Sequence, residues 1–252
     1  MPPSRKFSKT EIERYSRQIL LYGLTAQERL AHCRVGVIGA GGIGAGAIPA
    51  LAAAGFGEIL IFDDDRVENS NLGRQTLFRE NQTGESKAEI ACNRVREINP
   101  YIECTAQKYR IAPENIHESL HNCSLILEGS DSIETKFLIS DFSVKNNIAA
   151  IIGAIGPEQG HIFPILPSAQ EHPSACYRCI FENPPEPGEI PDCATAGVLS
   201  ALPALIGAQM AFLASLLVIE QKLQPLLWLM QKDGWRTISL RKNPDCGFCS
   251  IG

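Results

Sequence analysis

The chain has 252 residues, 44% of them hydrophobic and 20% charged, with a formal net charge of -5. That apolar content is enough for a full core and excludes disordered and fibrous classes. The acidic balance argues against a general phosphate-backbone binder, which gathers Lys and Arg on one face.

The N-terminus is polar and shows no apolar run ahead of a small-residue cleavage site, so no secretory signal is expected. Residues 8–31 read as helix, with Ile12, Tyr15, Ile19 and Leu20 at helical spacing among Glu11, Glu13 and Arg14. Arg34–Gly39 is a short Val/Ile-rich run and hence a strand, and the Ala-rich stretch Gly42–Ala54 a packed helix. Gly57–Phe62 follows as strand and Ser86–Ile98 as an amphipathic helix stopped by Pro100. Ile102–Gln107, Cys123–Leu127 and Ala149–Gly153 complete a strand–helix alternation. Such alternation implies a parallel sheet with helices on both faces.

Beyond about residue 157 the pattern changes. Short alternating strands at His161–Leu166, Leu227–Leu229 and Thr237–Leu240 flank an uncharged stretch, Ala194–Ile219. By length that stretch could span a bilayer. Pro203, Gln209, Ser200 and Ser215 interrupt it and no basic flank marks an inside end, which favours a buried core helix. The Pro-rich stretch 182–192 reads as a crossover loop. Three parts of one continuous domain are expected: a helical arm (1–31), an alternating strand–helix part (32–156) and a C-terminal part of short strands and the long apolar helix (157–252).

Gly39, Gly41, Gly42 and Gly44 lie between the first strand and the first packed helix. Glycines there let backbone approach phosphates, and the helix N-terminus offers free N–H groups. Asp63 ends the second strand, where a carboxylate can accept both ribose hydroxyls. An NAD-linked dehydrogenase needs no more than this. The next segment discriminates: Asp63, Asp64 and Asp65 are followed by Asn71, Arg74 and Gln75, then by Lys87 at a helix start. Acids followed by cations suit a triphosphate and its metal, the cations holding phosphoryl oxygens and a carboxylate anchoring magnesium. Asp131, past the Cys123–Leu127 strand, belongs to the same sheet edge, where open α/β sheets bind ligands.

Of nine cysteines, Cys33, Cys92, Cys104 and Cys123 sit singly in apolar stretches and read as reduced thiols, which places the chain in the cytosol. Cys176/Cys179 and Cys246/Cys249 are two matched CxxC pairs. Together they suit a closed structural zinc site, with two disulfides or redox pairs as the alternative. Cys193 precedes the long apolar helix, where the dipole favours a thiolate. It is a candidate nucleophile or an inert loop residue.

In this order, these features resemble the ThiF/MoeB/HesA family, the sulfur-carrier protein adenylyltransferases of the ubiquitin-activating superfamily. The resemblance runs from about Arg14 to Cys249, through the opening arm (14–23), the glycine turn, Asp63/Asp65, Asn71-Leu72-x-Arg74-Gln75, the CxxC pairs and the cysteine loop with its helix (192–211). It implies a Rossmann-like, mostly parallel sheet with helices on both faces, an N-terminal helical arm and C-terminal antiparallel strands with a four-cysteine zinc site. It also implies one continuous adenylation domain, with nucleotide bound by residues 32–156 and carrier and zinc by residues 157–252: MgATP and a ubiquitin-like carrier ending in Gly-Gly give an acyl-adenylate and pyrophosphate. On that resemblance Asp63 holds the ribose, Gly42 lies against the nucleotide, Asn71, Arg74 and Lys87 hold phosphates, and Asp131 binds magnesium. Arg17 matches an arm arginine that reaches a partner subunit's site, which implies a homodimer. Cys193 matches the cysteine that joins the carrier during sulfur transfer. The chain ends at Gly252 without a sulfurtransferase domain, so a separate sulfur donor is expected; no nucleic acid or membrane partner is expected. Ser132 and Ser86 stand where the family often has Asn and Pro. They leave room for adenylation of a peptide or other carboxylate in natural-product biosynthesis. An NAD-binding oxidoreductase is the alternative from another class.

Overall fold

The structure is a computed structural model in which residues 5–166, 174–184 and 197–249 are described. Its strands form one eight-stranded sheet of order β3-β2-β1-β4-β5-β6-β7-β8. They are β1 (Arg34–Ile38), β2 (Glu58–Phe62), β3 (Glu103–Gln107), β4 (Leu125–Glu128), β5 (Ala149–Ile155), β6 (Gly160–Ile165), β7 (Leu226–Gln231) and β8 (Gly234–Ser239). β1 to β5 run parallel, with β1 between β2 and β4. From β5 onward each neighbour is antiparallel. The mostly parallel Rossmann-like sheet with C-terminal antiparallel strands is thus observed.

The parallel strands read as unbroken apolar runs because both faces are covered. Val35, Val37, Ile59, Ile61, Leu125 and Leu127 enter one buried cluster, and the alternating Ile38, Leu60, Phe62 and Ile126 enter the other. The first cluster is closed by α4 (Gly42–Ala54), α5 (Lys87–Ile98) and the long apolar helix α8 (Ala201–Glu220); the second by α6 (Ile116–Leu120) and α7 (Ile133–Asn146).

α8 is long and apolar enough to cross a membrane. Here Ile206, Met210, Leu213 and Ala214 are buried against α4 and β5, as a core helix requires. The contact is backbone-close. A Cβ on Gly207 would lie 1.9 Å from the Ile43 carbonyl oxygen, and one on Gly46 would lie 2.2 Å from that of Ala204. Small residues at these crossings let the two helices meet without side chains between them.

The expected arm helix is three short ones, α1 (Lys9–Arg14), α2 (Ser16–Tyr22) and α3 (Leu24–His32), broken at Tyr15 and at Gly23 with φ 83°. A capping box between Ser8 and Glu11 starts α1. Asn99 anchors the arm, donating to Tyr15 Oη and the Ala52 carbonyl, both at 2.8 Å.

One expectation is corrected. Cys92 on α5 and Cys104 on β3 form a disulfide rather than two reduced thiols. α5 runs back along the strand that follows it and brings the two Cα atoms to 5.4 Å, a separation that a disulfide spans. Spacing along the chain conceals that return. Cys33 and Cys123 are free and buried, and burial pushes their thiols up to about 12 and about 11.

Candidate active site

The connection from β1 runs to β2 on one side of it, and the connection from β3 crosses back to β4 on the other, so the two leave a crevice at the carboxyl ends of these strands. Gly39 follows β1 with φ 88°, which side chains other than glycine rarely adopt. Its N–H donates to the Phe62 carbonyl at 2.9 Å. The chain then turns into α4, a 13-residue helix whose first residues, Gly42 and Ile43, line the crevice at its positive end.

Asp63 ties the turn to the end of β2. Its Oδ2 accepts from Ala40 N–H at 2.7 Å and its Oδ1 from Asp65 N–H at 2.9 Å. Burial raises its carboxyl above the usual range, opposed by these two N–H groups and by the Lys87 cation. Lys87 opens α5 and is buried, with Nζ 2.8 Å from Asp65 Oδ2. Arg74 donates to the Ser70 carbonyl at 3.0 Å. Gln75 is buried beside it, and its Oε1 lacks a partner.

Gly39, Gly41, Gly42, Asp63, Asp65, Arg74, Gln75, Lys87 and Asp131 line one pocket in this crevice. Other expected residues stand apart from its wall. A Cβ on Gly44 would lie 2.3 Å from the Gly39 carbonyl oxygen, so Gly44 seats α4 against the turn. Asn71 is buried and shapes the loop: its side chain accepts from Glu68 N–H at 3.2 Å, and its carbonyl accepts from the N–H groups of Arg74 and Gln75. Arg17 is exposed on α2, outside this pocket. Cys193 and most of the Pro-rich stretch lie outside the described residues.

Sequence reasoning missed Arg110, Ser130, Thr135 and Val198, all on the pocket wall. Arg110 follows β3, with Nε 3.5 Å from Asp64 Oδ1. Its signal was available, because any cation just past a parallel strand reaches the ligand edge. The wall thus joins the N-terminal end of α4 to three cations, Arg74, Lys87 and Arg110, and to a buried amide oxygen without a partner. That donor set fits a nucleotide polyphosphate with its sugar.

A second cluster stands apart. The Sγ atoms of Cys176, Cys179, Cys246 and Cys249 lie within 4.8 Å of one another. Pairs are 3.8 Å (Cys176–Cys179), 3.7 Å (Cys176–Cys246) and 3.5 Å (Cys179–Cys249). Sulfurs about 2.3 Å from a tetrahedral zinc stand about 3.8 Å apart, so these four thiols fit one. The cluster is fastened to α7: Tyr177 N–H donates to Ser140 Oγ at 3.0 Å, and Arg178 grips both oxygens of Asp141 at 2.9–3.1 Å.

Residues 15–248 match the ThiF family. The chain is 38% identical over 249 residues to the SAMP-activating enzyme E1 of Haloferax volcanii, covering 96% of this chain and 90% of that one. It is 38% identical over 251 residues to the sulfur carrier protein adenylyltransferase of Thermus thermophilus, with 97% and 93% covered. Among solved structures, Escherichia coli MccB with ATP superposes with a TM-score of 0.80 at 22% identity, over 96% of this chain and 75% of that one.

Proposed function

The chain belongs to the ThiF family, and we propose that it adenylates the C-terminal glycine of a small ubiquitin-like sulfur carrier. The carrying observation is the crevice that gathers the glycine turn, Arg74, Lys87 and Asp131 at one sheet edge. The names of the 38%-identical relatives support the same chemistry. The likeness to MccB is one of fold, so adenylation of a peptide has no separate support.

In this reading ATP lies across the switch point. The Gly39–Gly42 turn and the start of α4 face its phosphates, and Asp63 takes the ribose. The terminal carboxylate of the carrier attacks the α-phosphorus. The bond to the bridging oxygen breaks, and pyrophosphate leaves with that electron pair. Carrier acyl-adenylate remains. Arg74, Lys87 and Asn71 hold the phosphate end, Asn71 through the loop it shapes, and stabilise charge that grows on the leaving group. Asp131 would hold magnesium, which supplies charge neutralisation on the phosphates when bound. Such chemistry needs positioning more than a protein nucleophile. Cys193 then serves the later sulfur-transfer step, with sulfur from a separate donor.

Arg17 is outside the pocket of its own chain, which suits a role in the site of a second copy. The exposed Leu20 and Leu21 beside it, at 79% and 72%, give a homodimer apolar surface to cover. The four-cysteine cluster would hold a structural zinc. Pyrophosphate exchange with purified Gly-Gly-ended carriers tests the proposal. Exchange that depends on ATP, magnesium and an intact carrier terminus is expected, and exchange with a free peptide but no carrier would reverse the substrate assignment.

A further inference from the structure

Behind the pocket wall lies a buried ion pair that takes no part in the roles above. Glu128, the last residue of β4, and Lys136 on α7 are 0% and 4% exposed. Lys136 Nζ donates to Glu128 Oε2 at 2.6 Å, to the Ser130 carbonyl at 2.7 Å and to the Gly153 carbonyl at 2.8 Å. An ammonium has three N–H donors, so all are in use. Glu128 Oε1 accepts from the Ser130 N–H at 2.9 Å and from the Ser130 hydroxyl. Every polar atom of Ser130 is therefore bound to the pair.

The next residue is Asp131, exposed on the pocket wall. After it, Ser132 accepts from Thr135 N–H at 3.1 Å and caps α7. Asp131 thus stands between two anchored neighbours. Removing two charges from water is costly, and an apolar pair of similar volume is often at least as stable. Stability does not account for this pair. An apolar pair could not hold three polar atoms of the adjoining loop.

We propose that Glu128 and Lys136 are positioning residues: they lock Ser130 so that Asp131, the next residue, is presented to nucleotide-bound magnesium. This rests on the reading of Asp131 given above. Ligand-orienting partners of metal sites commonly change metal affinity by about 10–100-fold when removed, which sets the size of effect to look for.

Two double variants of the full chain make the test, with Asp131→Asn as reference. Glu128→Leu/Lys136→Met replaces the pair with apolar bulk. Glu128→Asp/Lys136→Arg keeps both charges and their summed reach. Melting temperature, ATP affinity by calorimetry with and without magnesium, and the magnesium dependence of pyrophosphate exchange are measured. The apolar variant should melt at or near the wild-type temperature and bind ATP alone normally. It should need about tenfold more magnesium for half-maximal exchange and lose the gain in ATP affinity that magnesium gives. The charge-retaining variant should stay close to wild type in both. Wild-type magnesium dependence in the apolar variant overturns the proposal, as does equal impairment of both variants. If only the apolar variant behaves as wild type while Asp131→Asn is impaired, the role of Asp131 survives and the positioning role falls. If Asp131→Asn itself is unimpaired, both fall. Should the apolar variant not fold, Glu128→Gln keeps the shape without the charge and is read by the same two magnesium measurements.

Discussion

Gly39 and Ser130 touch across the switch point: a Cβ on Gly39 would lie 3.0 Å from both the Cα and the N of Ser130. The loops after β1 and β4 therefore form one wall. Gly39→Ala meets two obstacles, the left-handed φ and this backbone. The φ alone costs about 1–2 kcal/mol, and displacing Ser130 disturbs the loop that carries Asp131. A folded variant with at least about tenfold weaker ATP binding by calorimetry is expected. Wild-type affinity would show that the turn does not cradle the phosphates.

Arg74→Ala and Asp131→Ala should lower pyrophosphate exchange by about 100-fold or more, the scale on which a charge-stabilising group acts in a displacement. Cys193→Ala should leave exchange intact and block only the later thiocarboxylate product, measured by intact mass of the carrier. Loss of exchange in Cys193→Ala would defeat this division of labour.

The purified protein should carry about one zinc per chain, by elemental analysis. Cys176→Ser should lose it and melt at a lower temperature. Chelation should do the same to the wild type, because the knuckle holds α7 through Ser140 and Asp141. A metal-free protein with unchanged melting would mean that hydrogen bonds alone hold the knuckle.

His161 gives a pH signature. Burial pushes it down to about 4, and the nearby Lys136 cation pushes the same way. Unfolded, it titrates at about 6.5. Between those values the unfolded chain binds a proton that the folded chain refuses, so stability falls as pH falls through that window and is unaffected by this group above it. The loss reaches up to about 3 kcal/mol by pH 4. Its ring stacks on Phe181 and lies 3.3 Å from Tyr177 Oη, so an aromatic replacement keeps the packing. Thermal melts from pH 7 to 4.5 should decline less steeply for His161→Phe than for wild type, and parallel slopes would rule out this histidine as the cause.

Much of the site was legible because short-range rules write it. α4 is found with the bounds read from sequence, Gly42–Ala54, since a glycine turn opens it and Gly55 in the left-handed region closes it. The strands before Gly39 and Asp63 were equally plain from Val and Ile content. α7 was not read at all. Phe137, Ile139 and Phe142 face a core cluster, but Lys136, Ser140 and Ser143 are buried among them, so no clean apolar stripe marks the helix. Of these polar residues, Lys136 serves the loop and Ser140 the knuckle, while Ser143 donates to the Ile148 carbonyl.

Alone, the sequence determined the order of strand, turn and helix, the acids and cations that follow β2, and the two CxxC pairs. All of these depend on residues a few positions apart. The folded chain decided which residues meet: Lys136 with Glu128, Cys92 with Cys104, Arg110 with the pocket at the sheet edge, and Arg17 with none of it. Such encounters depend on where parallel crossovers return the chain, and burial then sets which of the groups brought together keep their charge.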